Sequence, residues 1–279
     1  MMTDWRAILS AAIGLSMAAG IVLAVEELFW MKSRGRLTRS ALREMAMSLS
    51  TLPPNVVVSV VAGGWWVTIY ASASELVPWR MPMNAATLLL AVVVGDFCYY
   101  WEHRCAHRFS MLWAAYHAVH HSSSGYTVAT AYRVSFVNQL IAPAFYLPCI
   151  VLGIPPLLVV GLQVLSIHYQ AWVHTEMIGP LGVLDSVFNT PANHRIHHDV
   201  ESSRGAVNLG GILILWDRLF GTHAPVREVR QYGLSGTEPP ASLLSVYSSP
   251  LVEAIHGRTF RATPTTARDS AAGHPVSGG

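Results

Sequence analysis

Ala91-Val92-Val93-Val94-Gly95-Asp96-Phe97-Cys98-Tyr99-Tyr100-Trp101-Glu102-His103-Arg104-Cys105-Ala106-His107 runs an apolar stretch straight into two histidines four residues apart. The apolar part begins at Asn84, and between there and Trp101 its one charge is Asp96. An α-helix crosses the hydrocarbon of a bilayer in about 20 mostly apolar residues. The stretch therefore reads as a membrane span that ends at the histidines. On a helix the i, i+4 spacing puts His103 and His107 on one face, within reach of one metal ion.

Composition agrees with a membrane setting. Of 279 residues 52% are hydrophobic and 12% charged, against the roughly 25% charged of a soluble domain, and the mean hydropathy is +0.38. The 18 Lys and Arg nearly balance 16 Asp and Glu, so no nucleic acid or other polyanion is implied as a partner. Cys98, Cys105 and Cys149 are odd in number and contain no CxxC pair, which argues against a disulfide framework and a cysteine-type zinc site.

Working outward, Ala7 to Val25 is free of charge and reads as a first span. Glu26, Glu27, Phe29 and Trp30 stand where a signal peptide would need small residues for cleavage, so the span is expected to be retained. Lys32, Arg34, Arg36, Arg39 and Arg43 follow with no acid among them, and the positive-inside rule puts that segment in the cytoplasm. Met45 to Ser74 is a second uncharged stretch, with Pro53-Pro54 as a natural helix start. Val134 to Thr175 contains no Asp, Glu, Lys or Arg and is broken by Gly153-Ile154-Pro155-Pro156. It reads as a helical hairpin that returns His174 to the side of His103. Ala262–Gly279, rich in Ser, Thr, Gly and Pro, is expected to be disordered. The expected architecture is all-α: an integral membrane helical bundle of three single spans and a helical hairpin, with a cytoplasmic histidine-rich metal-binding cap. Its expected divisions are N-terminal spans and basic loop (1–84), a metal-binding domain (85–225) and a C-terminal extension (226–279).

Thirteen histidines are present, and they are bunched. His103, His107, His117, His120 and His121 form HxxxH and HxxHH, and His194, His197 and His198 repeat HxxHH. Imidazole suits iron, zinc, copper and nickel, and one tetrahedral ion is filled by four ligands. Eight clustered histidines exceed one ion, so two metals are the economical reading. The Glu-x-x-His pairs of soluble di-iron bundles are missing around the boxes, as are HExxH and HxxEH protease signatures.

In this order, after paired spans, the boxes resemble those of the fatty acid hydroxylase / sterol desaturase superfamily of membrane-bound non-haem di-iron oxygenases. Gly95 to Trp101, His174-Thr175-Glu176, Phe188-Asn189-Thr190-Pro191, Asn208 to Gly211 and Trp216 to Thr222 also look like that family, so the resemblance covers roughly Leu89 to Thr222. It implies a ligand set of His103, His107, His117, His120, His121, His174, His194, His197 and His198 around two iron ions. It further implies O2 as co-substrate, an oxidoreductase of the monooxygenase type, and hydroxylation of a C–H bond in a lipid-type substrate that enters from the bilayer. Desaturation is the variant outcome, and a non-enzymatic metal carrier is the other class of reading. Carrier sites lie near mid-membrane, whereas these boxes sit at the cytoplasmic ends of spans. Electrons would come from a cytochrome- or ferredoxin-type donor with its reductase, because the chain has neither GxGxxG after a strand nor CxxCH. Arg104, Arg108, Arg195, Arg204 and Arg218 could dock that donor or meet anionic headgroups.

Some residues keep two readings. His174 is a ligand or an interfacial hydrogen-bonded histidine; His168, inside the return span, is a helix-packing residue or a tenth ligand. Asp96, Glu176, Asp199 and Asp217 are candidates to accept a ligand imidazole N–H, or else form ordinary caps, ion pairs and helix contacts. Tyr99, Tyr100 and Trp101 read as an interfacial aromatic belt, and His223, His256 and His274 as surface residues.

Overall fold

The computed structural model describes residues 5–200, 206–229, 231–234 and 240–255. The tail expected to be disordered, His256, His274 and Arg204 lie outside them. Helix α1 spans Trp5–Ser33 and α2 spans Arg39–Ser50, where the Thr38 hydroxyl caps the first turn by accepting from the Ala41 amide at 3.1 Å. Helix α3, Leu52–Glu75, carries Pro53 and Pro54 in its first turn, where a missing N–H costs nothing. Helix α4, Ala85–Arg108, starts on Asn84, whose side chain accepts from the Thr87 amide at 2.9 Å.

Among the described residues, four helical segments are long and apolar enough to cross a membrane: Trp5–Ser33, Arg39–Glu75, Ala85–Arg108 and Pro156–Val173. The 29 residues of α1 extend about 43 Å at 1.5 Å per residue, longer than the ~30 Å hydrocarbon layer. Leu15 on α1 and Val60 and Val61 on α3 are more than 70% exposed, side chains that need lipid as their solvent.

Past α4 the helices shorten. Helix α5 is Ser110–Leu112, a π-helical turn follows at Trp113–His117, and α6 is Ala118–His121. The first arm of the hairpin is shorter than a span. It runs Asn138–Val151 as α7, Asn138–Ile141, a 3-10 turn at Ala142–Tyr146 and α8, Leu147–Val151. Pro143 and Pro148 interrupt the helical hydrogen bonds there. The Pro143 carbonyl accepts instead from the Tyr70 hydroxyl at 2.5 Å, so the broken backbone stays satisfied within the bundle. Gly153, at φ 82°, turns the chain into α9, Pro156–Val173. α9 lies against α1 at Gly161, where a Cβ would stand 2.2 Å from Leu9 Cδ2. Ala62, Trp66, Tyr70, Ala91, Cys98, Tyr146, Ile150 and Leu158 pack the core between α3, α4, α8 and α9.

The third box lies on α10, Pro191–His198, followed by α11, Leu215–Phe220, and α12, Leu243–Ile255. No extended strand occurs among the described residues; Phe188 with Leu213 and Asp199 with Tyr232 make isolated bridges.

Candidate metal centre

The last turns of α4 carry His103 and His107, and the π-turn ends on His117. A π-turn holds an extra residue per turn and so changes which way the following side chains face. His117 and His121 then join His103, His107 and His197, while His120 turns toward His174, His194 and His198. Within each group the available ligand atoms all lie within 4.8 Å of one another. The structure therefore brings all nine histidines together, as five and four, and draws on the second and third boxes for both groups. His168 belongs to neither; its Nδ1 is buried and has no hydrogen-bond partner among the described residues. His223 is half-buried.

His174 caps α9 with a non-helical backbone, φ −88° and ψ 63°, and its Nδ1 donates to the Gln170 carbonyl at 2.6 Å. Three other rings are fixed the same way: His103 donates to Leu209 O at 2.8 Å, His197 to Val207 O at 2.8 Å and His120 to Arg133 O at 3.3 Å. With the N–H on Nδ1, each ring presents a bare lone pair at Nε2. Yet His103 Nε2 lies 3.1 Å from His197 Nε2, and His120 Nε2 lies 3.0 Å from His174 Nε2. Two opposed lone pairs repel unless a cation sits between them. Metal–imidazole bonds of about 2.0–2.1 Å meeting at a right angle put their nitrogens about 3.0 Å apart, so both groups fit a metal ion.

Electrostatics point the same way. Burial pushes the imidazoles of His117, His121, His174, His194, His197 and His198 well below their ordinary range, and His120 down to about 4. They are neutral at pH 7, the form that ligates.

Among the described residues, Asp96, Asp217 and Glu176 accept from groups other than imidazoles, and Asp199 pairs with an arginine. Asp96 accepts from the Ile212 and Leu213 amides at 2.6 and 3.0 Å and from the Trp216 indole at 2.9 Å. Asp217 accepts from the Leu209 and Gly210 amides, both at 2.7 Å, and from the Thr222 hydroxyl at 2.6 Å. Burial pushes the Asp217 carboxyl up to about 6 against those three donors. Together the two carboxylates clamp the loop whose Leu209 carbonyl receives the His103 N–H. Gly211 is required in that loop, since a Cβ would stand 2.7 Å from both Asp96 Oδ1 and Tyr99 Cδ1. Glu176 pairs with Arg36 and accepts from Tyr232 at 3.2 Å, and Asp199 pairs with Arg227 at 2.5 Å.

Of the arginines, Arg195 donates to the Thr175 and Ile178 carbonyls at 2.8 Å each and so braces the third box from within. Arg218 reaches the Ser186 carbonyl, and Arg104 donates to the Tyr100 hydroxyl. Tyr99 and Trp101 do not act as a simple belt: Tyr99 lines the site, and Trp101 packs on Phe97 and Phe220.

Sequence reading passed over several residues. Glu27, taken as the end of a span, is 1% exposed and accepts from the Val128 amide and the Thr175 hydroxyl, so α1 ties down the segments after His121 and His174. A carboxylate at the edge of an apolar helix is itself a signal of a buried partner. Arg133 is fully buried and pairs with Glu44 at 2.7 Å, fixing the carbonyl that His120 uses. Tyr126 walls the second group, its ring 5.2 Å from that of His198.

Beside the two groups lies a cavity of about 110 Å³, lined by Tyr99, Glu102, Tyr116, Ile167 and Gln170 with His117, His120 and His174. It touches both histidine groups. Tyr116 donates to Glu102 at 2.8 Å across its wall.

A membrane bundle holding two such groups defines a histidine-box class of protein, and comparison with known sequences gives the particular family. Residues 88–222 match the family model named fatty acid hydroxylase, and the chain belongs to that superfamily. It is 36% identical over 219 residues to alkylglycerol monooxygenase of Danio rerio, covering 77% of this chain and 48% of that protein. It is 40% identical over 158 residues to the Homo sapiens protein of that name, covering 57% and 34%. Identity to the ornithine lipid hydroxylase OlsE of Rhizobium tropici is 33% over 156 residues, 55% of this chain and 46% of that one. The chain thus spans between a third and a half of the length of these relatives. No solved structure matches it.

Proposed function

We propose that the protein is a membrane-bound, O2-dependent hydroxylase of a lipid, with two iron ions held by His103, His107, His117, His121 and His197 and by His120, His174, His194 and His198. The observation that carries this reading is the pair of opposed Nε2 lone pairs in each group, both beside one cavity. Iron bound there and supplied with two electrons activates O2 for attack on an unactivated C–H bond. The chain's own part is placement. Backbone carbonyls fix four of the rings, and Asp96 and Asp217 hold the loop that supplies one of those carbonyls. Tyr99 and Ile167 line the cavity as apolar walls that seat a hydrocarbon chain and keep water from the reacting carbon.

The names of the relatives, monooxygenase of alkylglycerols and hydroxylase of ornithine lipids, support a lipid substrate and the oxidoreductase class. We read 85–225 as the metal-binding unit. The ion pair of Arg36 with Glu176 places the basic segment on the same face as His174, which supports a cytoplasmic centre by the positive-inside rule. Electrons then come from a cytosolic-side donor protein of cytochrome or ferredoxin type.

Untargeted lipid mass spectrometry on cells with and without the protein, with His197→Ala as control, tests this. A lipid gained at about +16 mass units and lost in the variant is the expected result; a species at about −2 would reassign the outcome to desaturation. Two bound irons and a working electron supply with no new lipid would refute the reading.

A further inference from the structure

Gln170 lies on α9 and lines the cavity beside the histidine groups, with its backbone carbonyl taken by the His174 ring. Its side-chain oxygen and nitrogen are both buried, and among the described residues neither has a hydrogen-bond partner. Leaving a buried donor or acceptor unmade costs about 1–3 kcal/mol each, a cost that an apolar side chain would avoid. Two turns earlier on the same helix, Gln163 shows the ordinary solution, donating to the Tyr70 hydroxyl at 3.1 Å. The Gln170 carboxamide is thus an amide that awaits a ligand. Also on the cavity wall stands Glu102, 6% exposed, with one carboxyl oxygen receiving the Tyr116 hydroxyl. Among the described residues, no hydrogen bond engages its second oxygen. The two groups together offer an NH2 donor and two acceptor oxygens to the cavity, whose lining also includes Ser135 and Asn138. A hydroxyl, which both donates and accepts, matches that set.

We propose that the Gln170 carboxamide and the Glu102–Tyr116 pair bind a hydroxyl of the lipid substrate and thereby set which carbon faces the histidine groups. The inference rests on the hydroxylase reading and narrows it to the side chains that hold the substrate's hydroxyl. One to two turns earlier on α9, Leu162, Leu165 and Ser166 line a second cavity of about 150 Å³ with Val92 and Tyr146.

The test uses 1-O-hexadecylglycerol and its 2,3-di-O-methyl ether, which keeps the chain and the oxygens but has no O–H. Both are applied to the iron-loaded wild type, Gln170→Met and Glu102→Gln, with equilibrium binding measured separately from turnover, the latter with O2 and a chemical reductant that supplies two electrons per cycle. One net hydrogen bond of about 1.4 kcal/mol is worth about tenfold. The wild type is expected to bind the diol about tenfold more tightly than the ether. Gln170→Met should lose about tenfold for the diol and less for the ether, raise KM with little change in kcat, and scatter the new oxygen over several carbons. Glu102→Gln keeps the Tyr116 contact but exchanges an acceptor for an N–H donor, so preference shifts toward the ether. Equal binding of both probes by the wild type, or an unchanged preference in either variant, overturns the clamp. Should Gln170→Met fail to fold, the direction of the Glu102→Gln shift decides. The binding pattern without any oxidised product would leave the clamp standing and refute the hydroxylase reading; product without the pattern would do the reverse.

Discussion

Asp96→Asn removes no atom of bulk, yet it should loosen a metal centre that Asp96 never touches. The carboxylate is 4% exposed and takes three donors: Ile212 N on one oxygen, Leu213 N and the Trp216 indole on the other. A carboxamide has one acceptor oxygen. Placed to keep Leu213 and Trp216, it turns its NH2 toward the Ile212 amide, where two donors face each other across a site that held a 2.6 Å hydrogen bond. A hydrogen bond to a charged group is worth about 1.5–3 kcal/mol, and the orphaned Ile212 N–H adds its own desolvation cost, for about 3 kcal/mol in all. In a chain of this size that lowers Tm by about 6–9 °C at 2–3 °C per kcal/mol. The displaced loop carries the Leu209 carbonyl that orients His103, and changes at such remove cost about 10–100-fold in metal affinity. Thermal unfolding of purified protein and metal titration of the chelated form measure the two effects. A variant as stable as wild type that also holds both ions as tightly would refute the reasoning, because it would show that the loop stays in place without Asp96.

Other perturbations act on separate parts. Chelation should lower Tm, since it leaves bare Nε2 lone pairs opposed at 3.0–3.1 Å, and re-addition of Fe(II) should restore it. His120→Ala and His197→Ala each remove a ligand from a different group; both should abolish activity and reduce iron content, read by elemental analysis, and full activity in either would remove that residue from the ligand set. Glu27→Gln should cost about 1–3 kcal/mol by breaking the bond to the Val128 amide while the Thr175 hydroxyl can still donate, seen in thermal unfolding. Gly161→Val should cost about 1–3 kcal/mol or more by driving α1 off α9, with protease sensitivity near the N-terminus as a readout.

The spans were legible because a gap in charge is all that a bilayer demands of a helix, and Ala7–Val25 and Met45–Ser74 show it openly. Eight of the nine histidines were legible as a set from their spacing, and His174 entered through the family resemblance. Their division was not, because it depends on the π-turn at Trp113–His117, which no residue in Trp113-Ala114-Ala115-Tyr116-His117 announces. Asp96 stood out as a carboxylate in a span, but its partners are backbone amides more than a hundred residues away, which sequence spacing cannot reveal. The hairpin break at Gly153 was plain, while the shortening of its first arm follows from Pro143 and Pro148, inconspicuous in a run with no charge. Gln170 escaped notice because one amide in an apolar helix looks like tolerated polarity until its neighbours are known.

The interleaving of the boxes makes assembly of the centre a joint event. One short segment, His117–His121, feeds both groups, and so does α10 through His197 and His198. On the proposed two-iron reading, an ion bound in one group fixes side chains of both segments, and less side-chain entropy is left to lose when the second binds. A half-loaded enzyme is consequently a scarce species, and occupancy should climb steeply with iron concentration, passing from empty to full with little in between.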